Sequence, residues 1–299
     1  MGDVLAGIHA TWEFESDSVL IRFERGIRTP KLFQALGERR VPHEALSSVS
    51  LSAGKRGTVV LHAVPRPGAD PLMEAAAGQL KQGCDPYRLV LPAEREILAE
   101  YYADELRAAL GRDGGPHIRE PHEPAERYLV ASPGPSLHFK AYDGKASFDG
   151  DLVSFRWFWT GASSAKWKAG DQSFPVRELH GVEWRSPEGF DGHLRLLRRE
   201  GHGPELSRPP QADHDPATVV FGLGYGPVHE SLPFAAAVLQ AIQGAAASRP
   251  AVPVPAAASG RRDPADVADR IRHLGDLHRA GLVTDEEFTA KKAELLAEL

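Results

Sequence analysis

Short segments in which apolar and polar residues alternate occur in the first half of the chain and recur in the second. Residues 12–23 have the pattern of two short strands around an acidic turn. Residues 146–159 repeat it, and a strand there would place Phe155, Trp157 and Trp159 on one face. Further strands are predicted at 57–64 and 85–92, with counterparts at 192–199 and 215–222. The pattern indicates mainly β structure in two copies.

The best internal match lies between these strands. GERRVPHEALSSVSL (37–51) and GDQSFPVRELHGVEW (170–184) are 133 residues apart and share a proline, a leucine and a valine at the same spacing. The matched pairs are Pro42 and Pro175, Leu46 and Leu179, and Val49 and Val182. Each proline precedes a strand, where its missing N–H does no harm, and a bend is predicted between the leucine and the valine. The chain therefore contains a duplicated domain.

Each copy closes with an amphipathic helix. Residues 93–110 place an apolar stripe on one face, and residues 231–242 do the same, with Ser231 as the predicted N-cap. The predicted apolar stripes are Leu98, Tyr101, Tyr102, Leu106 and Ala109 in the first helix, and Phe234, Val238 and Ile242 in the second. Short strands with open edges are stabilised by curling into a barrel or sandwich, and one helix covers the open end of a small barrel.

The last 37 residues have the pattern of two helices. Pro264 suits a first helical turn, Gly281 suits a C-cap, and Thr284 with Glu287 forms a capping box for the second helix. Two helices of this size bury little surface on their own. We therefore expect residues 263–299 to pack on another copy of the chain, on the upstream domains or on a protein partner, and we favour a partner or self-association.

Pro/Gly-rich and Pro/Ala-rich stretches divide the chain. The predicted organisation is a first repeat (5–111), a linker (112–137), a second repeat (138–243), a flexible linker (244–262) and a helical hairpin (263–299). Long loops are expected at 65–84 and 200–214.

Composition narrows the class of protein. The 299 residues include 42% hydrophobic residues, enough for a packed core, and the net charge of −6 argues against nucleic acid as a partner. A single cysteine, Cys84, excludes an intrachain disulfide, and no apolar run is long enough to cross a membrane. We expect a cytoplasmic protein.

Chemical motifs are weak. GLGYG (222–226) lies between a strand and a helix like a phosphate-binding loop, but the third glycine is replaced by Pro227, which favours a plain turn. His193, His202, His214 and His229 have no metal-ligand spacing, and Cys84 has no activating neighbours in sequence. We therefore predict no catalytic residues, no cofactor and no metal, and hence no enzyme.

An aromatic and basic stretch in the second repeat suggests an interaction surface, although core packing of the same aromatics is the alternative. Arg156 and Phe158 share one strand face, and Lys166 and Lys168 flank Trp167. The first repeat offers a more basic loop at 25–31, which contains Arg28 and Lys31. These seven residues are the candidate interaction surface.

The tail resembles the SHOCT (short C-terminal domain) family. The match rests on Leu274, Leu277, the segment from Gly281 to Phe288, Lys291, Leu295 and Leu296. This resemblance implies an oligomerisation or interaction appendage, in which Leu274, Leu277, Gly281, Phe288, Leu295 and Leu296 form the contact surface.

The two repeats look like the actinobacterial family called domain of unknown function 4429, which occurs in tandem and often precedes such a tail. Their proline, leucine and valine segments are also similar to those of bacterial PH-like domains. The resemblance implies two tandem PH-like barrels, each a bent β-sheet capped by a C-terminal helix, and it brings no established active site.

Our leading hypothesis is a non-enzymatic, cytoplasmic interaction or scaffold protein. Two PH-like domains would recognise a target, while the tail joins copies or partners. The second hypothesis is a protein that binds a membrane or an anionic ligand weakly through the loops around Arg28 and Lys166, and the third is an unrecognised enzyme.

Overall fold

The computed structural model describes residues 3–112, 123–132, 134, 137–199 and 210–247. The first repeat contains seven strands. They are β1 (Asp3–Ala6), β2 (Ala10–Phe14), β3 (Ser18–Phe23), β4 (Glu38–Pro42), β5 (Leu46–Ala53), β6 (Thr58–Pro65) and β7 (Arg88–Pro92). Helix α1 (Lys31–Leu36) lies between β3 and β4, α2 (Pro71–Ala76) between β6 and β7, and α3 (Glu96–Arg112) follows β7.

These strands form two antiparallel sheets, in the orders β1-β2-β3-β4 and β5-β6-β7. The sheets meet where the Ile8 N–H donates to the Val90 carbonyl at 2.7 Å. Helix α3 packs on β5, and the Arg107 side chain donates to the Val49 carbonyl at 3.1 Å.

The seven strands of the second repeat follow one another as in the first. Its strands are β8 (Leu137–Lys140), β9 (Gly144–Phe148), β10 (Leu152–Trp157), β11 (Gln172–Pro175), β12 (Leu179–Arg185), β13 (His193–Arg198) and β14 (Thr218–Val220). Helix α4 (Ser164–Ala169) lies between β10 and β11, and α5 (Val228–Ala247) follows β14. The sheets β11-β10-β9-β8 and β12-β13-β14 meet where the Tyr142 N–H donates to the Val220 carbonyl at 2.9 Å.

The predicted fold class, mainly β with helices, is confirmed, and both copies have the same order of strands, although α2 has no counterpart between β13 and β14 among the described residues. The expected barrels are not closed. Among the described residues, each repeat consists of a four-stranded and a three-stranded open sheet.

The duplicated motif forms the corner between the sheets. Pro42 and Pro175 end β4 and β11, and one turn of 3₁₀ helix follows each proline, at His43–Ala45 and Val176–Glu178. The strands then resume at the buried Leu46 and Leu179, and each has a bulge within its first residues. The predicted bend is confirmed, because the bulge re-aims the strand onto the second sheet.

Three local predictions were wrong in whole or in part. In the predicted stripe of α3, Tyr102 and Leu106 are buried, but Leu98 and Tyr101 are exposed, and Ala99 and Ala103 are buried instead. Ser231 is not an N-cap, since α5 begins at Val228. Strand β10 ends at Trp157, and the chain turns there, so Trp159 leaves the buried face and is exposed.

The two repeats are joined by a shared apolar core. Leu32 of α1, and Leu72, Ala75 and Ala76 of α2, belong to the core cluster of the second repeat, and both helices pack on α5. Helix α2 falls inside a segment predicted as a loop. Its first turn is capped by Asp70, whose side chain accepts from the Leu72 N–H at 2.9 Å.

A buried polar network holds α2 in place. The Arg39 guanidinium and the Tyr87 hydroxyl each donate to the Asp70 carboxylate at 2.7 Å. Burial, followed by the neighbouring Asp70 carboxylate, raises the pKa of Tyr87 well above its usual value, so the phenol remains a donor. The network therefore fixes the start of the helix that joins the repeats.

All of the described residues belong to one compact unit. The predicted hairpin at 263–299, most of the flexible linker at 244–262 and most of the loop at 200–214 lie outside the described residues. None of the helices that the structure describes is both long enough and apolar enough to span a membrane.

Candidate functional site

A groove of about 370 Å³ lies between the repeats. The start of α1 and the segment after α2 form its first-repeat wall. The turn between β12 and β13 and the loop between β14 and α5 form the opposite wall. The groove is mainly apolar, with Leu32, Leu80, Pro187 and Val228 among its walls, which is the usual character of a ligand-binding site.

Two contacts fix the width of the groove. The Gln79 side chain donates to the Trp184 carbonyl at 3.1 Å and accepts from the Ser186 N–H at 3.0 Å. Lys81 pairs with Glu188 at 2.9 Å on the surface. Because these contacts join the two repeats directly, the groove persists only while the repeats stay together.

Two titratable groups line the groove. Burial is the main reason that the pKa of the Cys84 thiol is raised, and Glu188 adds to the effect while Lys81 opposes it. Burial also lowers the pKa of His229; Glu230 opposes this change, and Lys31 contributes to it. At neutral pH these shifts favour the thiol form of Cys84 and the neutral imidazole of His229.

The GLGYG segment forms a turn at one end of the groove. Gly224 and Gly226 have positive φ angles of 81° and 64°, and a Cβ atom at Gly226 would lie 2.2 Å from the Phe221 ring. These glycines are therefore required by the turn itself.

Two connections, 24–31 and 222–229, contribute residues to this end of the groove, and two more, 140–145 and 158–168, are linked to 222–229 by contacts. We call these four connections the loop face. In the second repeat, the Phe158 N–H donates to the Asp143 carbonyl at 2.9 Å, and the Tyr142 and Tyr225 rings are 6.2 Å apart. Lys31 of the first repeat and the 222–229 connection of the second repeat both line the groove, so the parts of the loop face that come from the two repeats meet there.

The loop face contains six of the seven predicted interaction residues. Arg28, Lys31, Trp167 and Lys168 are exposed, and Phe158 is partly exposed. The seventh, Arg156, is exposed on β10 beside the face and forms an ion pair with Asp171 at 3.4 Å. Phe158 follows the end of β10 and therefore does not share a strand face with Arg156.

Lys166 lies on the loop face only in sequence, because its side chain is 0% exposed. Its Nζ donates to the Asp143 carboxylate at 2.5 Å and lies 5.0 Å from the centre of the Trp157 ring. The prediction that Lys166 is a surface contact was wrong, since α4 turns this residue toward the core.

Comparison with the first repeat shows that Lys166 occupies a core position. Helices α1 and α4 are each six residues long and end before a glycine, so Phe33 and Lys166 occupy equivalent positions. Phe33 stacks on Phe23 with 4.6 Å between ring centres, whereas Lys166 faces Trp157, the residue equivalent to Phe23. A cation–π contact and an ion pair thus replace an aromatic stack.

Sequence reasoning missed the groove because it missed α2. The signal was present: Asp70-Pro71 is an N-cap followed by proline at the first helical position, and Leu72, Ala75 and Ala76 follow at helical spacing. The surface of α5 that packs on α2 was predicted only as part of an amphipathic helix.

The other candidate chemistry is scattered. His193, His214 and His229 do not come together with other ligand types: among the described residues, no three His, Cys, Asp or Glu side chains are placed to hold a metal ion. His202 lies outside the described residues, as do the tail contacts Leu274, Leu277, Gly281, Phe288, Leu295 and Leu296.

Comparison with family models matches the two repeats and the tail separately. The model described as Domain of unknown function (DUF4429) matches residues 12–107 and 146–239, and the model described as Short C-terminal domain matches residues 269–296. Comparison with curated proteins gave no match. Since the two repeat matches cover more than half of the chain, the protein belongs to the DUF4429 family, with two copies of the domain followed by a short C-terminal domain.

Proposed function

We propose that this chain is a non-enzymatic interaction protein of the cytoplasm, in which the tandem domains present one binding surface and the tail associates with itself or with a partner. The loop face carries the proposal. Six of the twelve large hydrophobic side chains that are exposed in the described residues lie on it: Ile27, Tyr142, Trp159, Trp167, Leu223 and Tyr225. Half of these exposed apolar side chains thus fall on four linked connections, and such a concentration favours an interaction site.

The shared core supports the same proposal. Since α1 and α2 pack on α5, the connections of the two repeats are held in a fixed relation. The four-plus-three strand order closed by a helix also supports the PH-like interpretation of each repeat. A rigid surface loses little conformational entropy on binding.

The match of the tail to a short C-terminal domain supports association as the second part of the function. Joining several copies of a weak binding surface raises the effective concentration of each one for a shared target. The tail would in this way convert weak contacts into stable attachment.

Light scattering after size exclusion tests the association. We expect the full chain to have a mass that is a multiple of 32.5 kDa and residues 1–248 to be monomeric. Two monomeric masses would exclude self-association and leave a different protein as the partner of the tail. A pull-down with residues 249–299 as bait tests that alternative, and no specific capture would remove the second part of the proposal.

A further inference from the structure

We propose that the loop face binds the surface of an anionic lipid bilayer, with its apolar tips entering the interface between headgroups and acyl chains. This inference rests on the proposed function, because it names the partner of the same surface.

The apolar tips are the first argument. Ile27 is 105% exposed, Leu223 is 102% exposed and Trp159 is 81% exposed, so their side chains contact almost nothing in the protein. Each lies on a different connection, and the two connections with Ile27 and Leu223 belong to different repeats. Large apolar side chains in contact with water carry an unfavourable free energy, which burial among acyl chains removes.

The aromatic residues point to an interface. Tyr142, Trp159, Trp167 and Tyr225 supply four aromatic rings that are all at least partly in water. Tryptophan and tyrosine combine an apolar ring with a polar group, and both are enriched where hydrocarbon meets water. The loop face therefore has the composition of a surface that enters a bilayer to a shallow depth.

Charge is the third argument. The whole chain has more acidic than basic residues, with 41 against 35. The four connections of the loop face have seven Lys or Arg residues and two acids. One of each, Lys166 and Asp143, is buried in an ion pair, which leaves six cations against Glu24: Arg25, Arg28, Lys31, Lys140, Lys145 and Lys168. A local excess of cations complements an anionic leaflet.

The arrangement favours a bilayer over a folded protein. A protein interface gathers its apolar groups into one closely packed centre with charges at the rim. On the loop face, the apolar tips protrude separately, and cations share the connections of Ile27 and Trp159: Arg28 follows Ile27, and Lys168 follows Trp167. Separate tips with cations between them allow the apolar groups to insert while the charges remain among lipid headgroups.

Vesicle co-sedimentation of the full chain tests the proposal. We expect the chain to pellet with phosphatidylcholine vesicles that contain phosphatidylserine and to remain in the supernatant with phosphatidylcholine alone. Replacing Arg25 and Arg28 by Gln should weaken binding about fivefold for each cation removed. Replacing Ile27 and Leu223 by Ser should weaken it about tenfold for each side chain. The tryptophan emission should also shift to the blue on binding, as Trp159 leaves water.

Matched controls lie elsewhere on the molecule. Ile97→Ser removes an equally apolar exposed side chain from α3, and Lys55→Gln removes an exposed cation from the turn between β5 and β6. Neither control should change binding. Equal binding to both vesicle types, equal losses in the controls, or displacement by inorganic phosphate at constant ionic strength would overturn the proposal. Absence of pelleting at low salt would also overturn it, and if the mass of the full chain still depends on the tail, the association part of the proposed function would survive.

Discussion

At the scale of single residues, the two repeats fill one equivalent core position with different kinds of side chain. Equivalent backbone hydrogen bonds, Glu24 N–H to His9 and Phe158 N–H to Asp143, place His9 and Asp143 at the same point in the two copies. With Phe33 and Lys166 also equivalent, the first repeat has an aromatic stack where the second has a buried ion pair. Periodicity cannot predict this exchange, because a lysine beside Trp167 in sequence looks like a surface residue.

The ion pair is expected to add no net stability to the fold. Burial is the largest influence on both groups: it raises the pKa of Asp143 and lowers that of Lys166, in each case against the attraction between them. The loss of hydration therefore outweighs the attraction, as is often found for buried pairs. The arrangement is stable only while both members are present.

We predict that Lys166→Met or Asp143→Asn alone lowers the free energy of unfolding by about 3–5 kcal/mol, because each leaves one buried charge without its partner. The double variant should recover to within about 1 kcal/mol of the natural chain, since an asparagine oxygen at 143 can still accept from the Val220 N–H. Urea denaturation of the natural chain and of the three variants measures the cycle. Additive losses in the double variant would contradict a coupled pair.

At the scale of elements, the equivalent helices α3 and α5 present different surfaces. The Phe14–Tyr102 and Phe148–Phe234 ring contacts make Tyr102 and Phe234 equivalent, and so align the helices. The buried Leu232 and Ala236 of α5 then correspond to the exposed Glu100 and Asp104 of α3. Helix α3 therefore presents charge at positions where α5 presents buried apolar side chains.

Helices α1 and α4, which are also equivalent, differ in the same way. Leu32 and Leu36 of α1 pack against the core of the second repeat, while the equivalent Ala165 and Ala169 of α4 are small and exposed. From the sequence, the alternation of apolar and polar residues and the proline motif were enough to locate both repeats. It could not show which apolar helix faces meet, because both α3 and α5 are amphipathic when taken alone.

Helix α2 is predicted to contribute much of the inter-repeat stability. Leu72→Ala should lower the free energy of unfolding by about 2–5 kcal/mol, because Leu72 is fully buried in the core shared with α5. The control, Ile97→Ala on the exposed side of α3, should change it by less than about 0.5 kcal/mol. Thermal and urea denaturation compare the two variants. A loss for Leu72→Ala no larger than for the control would mean that α2 is not an energetic part of the interface.

At the scale of the whole molecule, the shared core joins the duplicated domains into one compact unit. An isolated first repeat would expose Leu32 and Leu72 to water, and an isolated second repeat would expose the α5 face that they cover. The segment at 123–132 adds a further connection, since Tyr128 and Ser132 donate backbone N–H groups to Gln243 and Gln240 of α5, each at 2.7 Å. Separation of the repeats would therefore lose buried apolar area and hydrogen bonds together.

We accordingly predict that residues 1–248 unfold in a single cooperative transition. Four of the five tryptophans, Trp157, Trp159, Trp167 and Trp184, belong to the second repeat, so fluorescence reports mainly on that repeat, whereas far-ultraviolet circular dichroism reports on both. If the repeats are one unit, the two signals should change at the same urea concentration, and the calorimetric and van't Hoff enthalpies should agree. Two resolved midpoints would show that each repeat is stable alone, and the groove and the loop face would then depend on a docking equilibrium between separately folded domains. A single midpoint would mean that the repeats, and with them the relation between Ile27 and Leu223 on the loop face, persist until the whole unit unfolds.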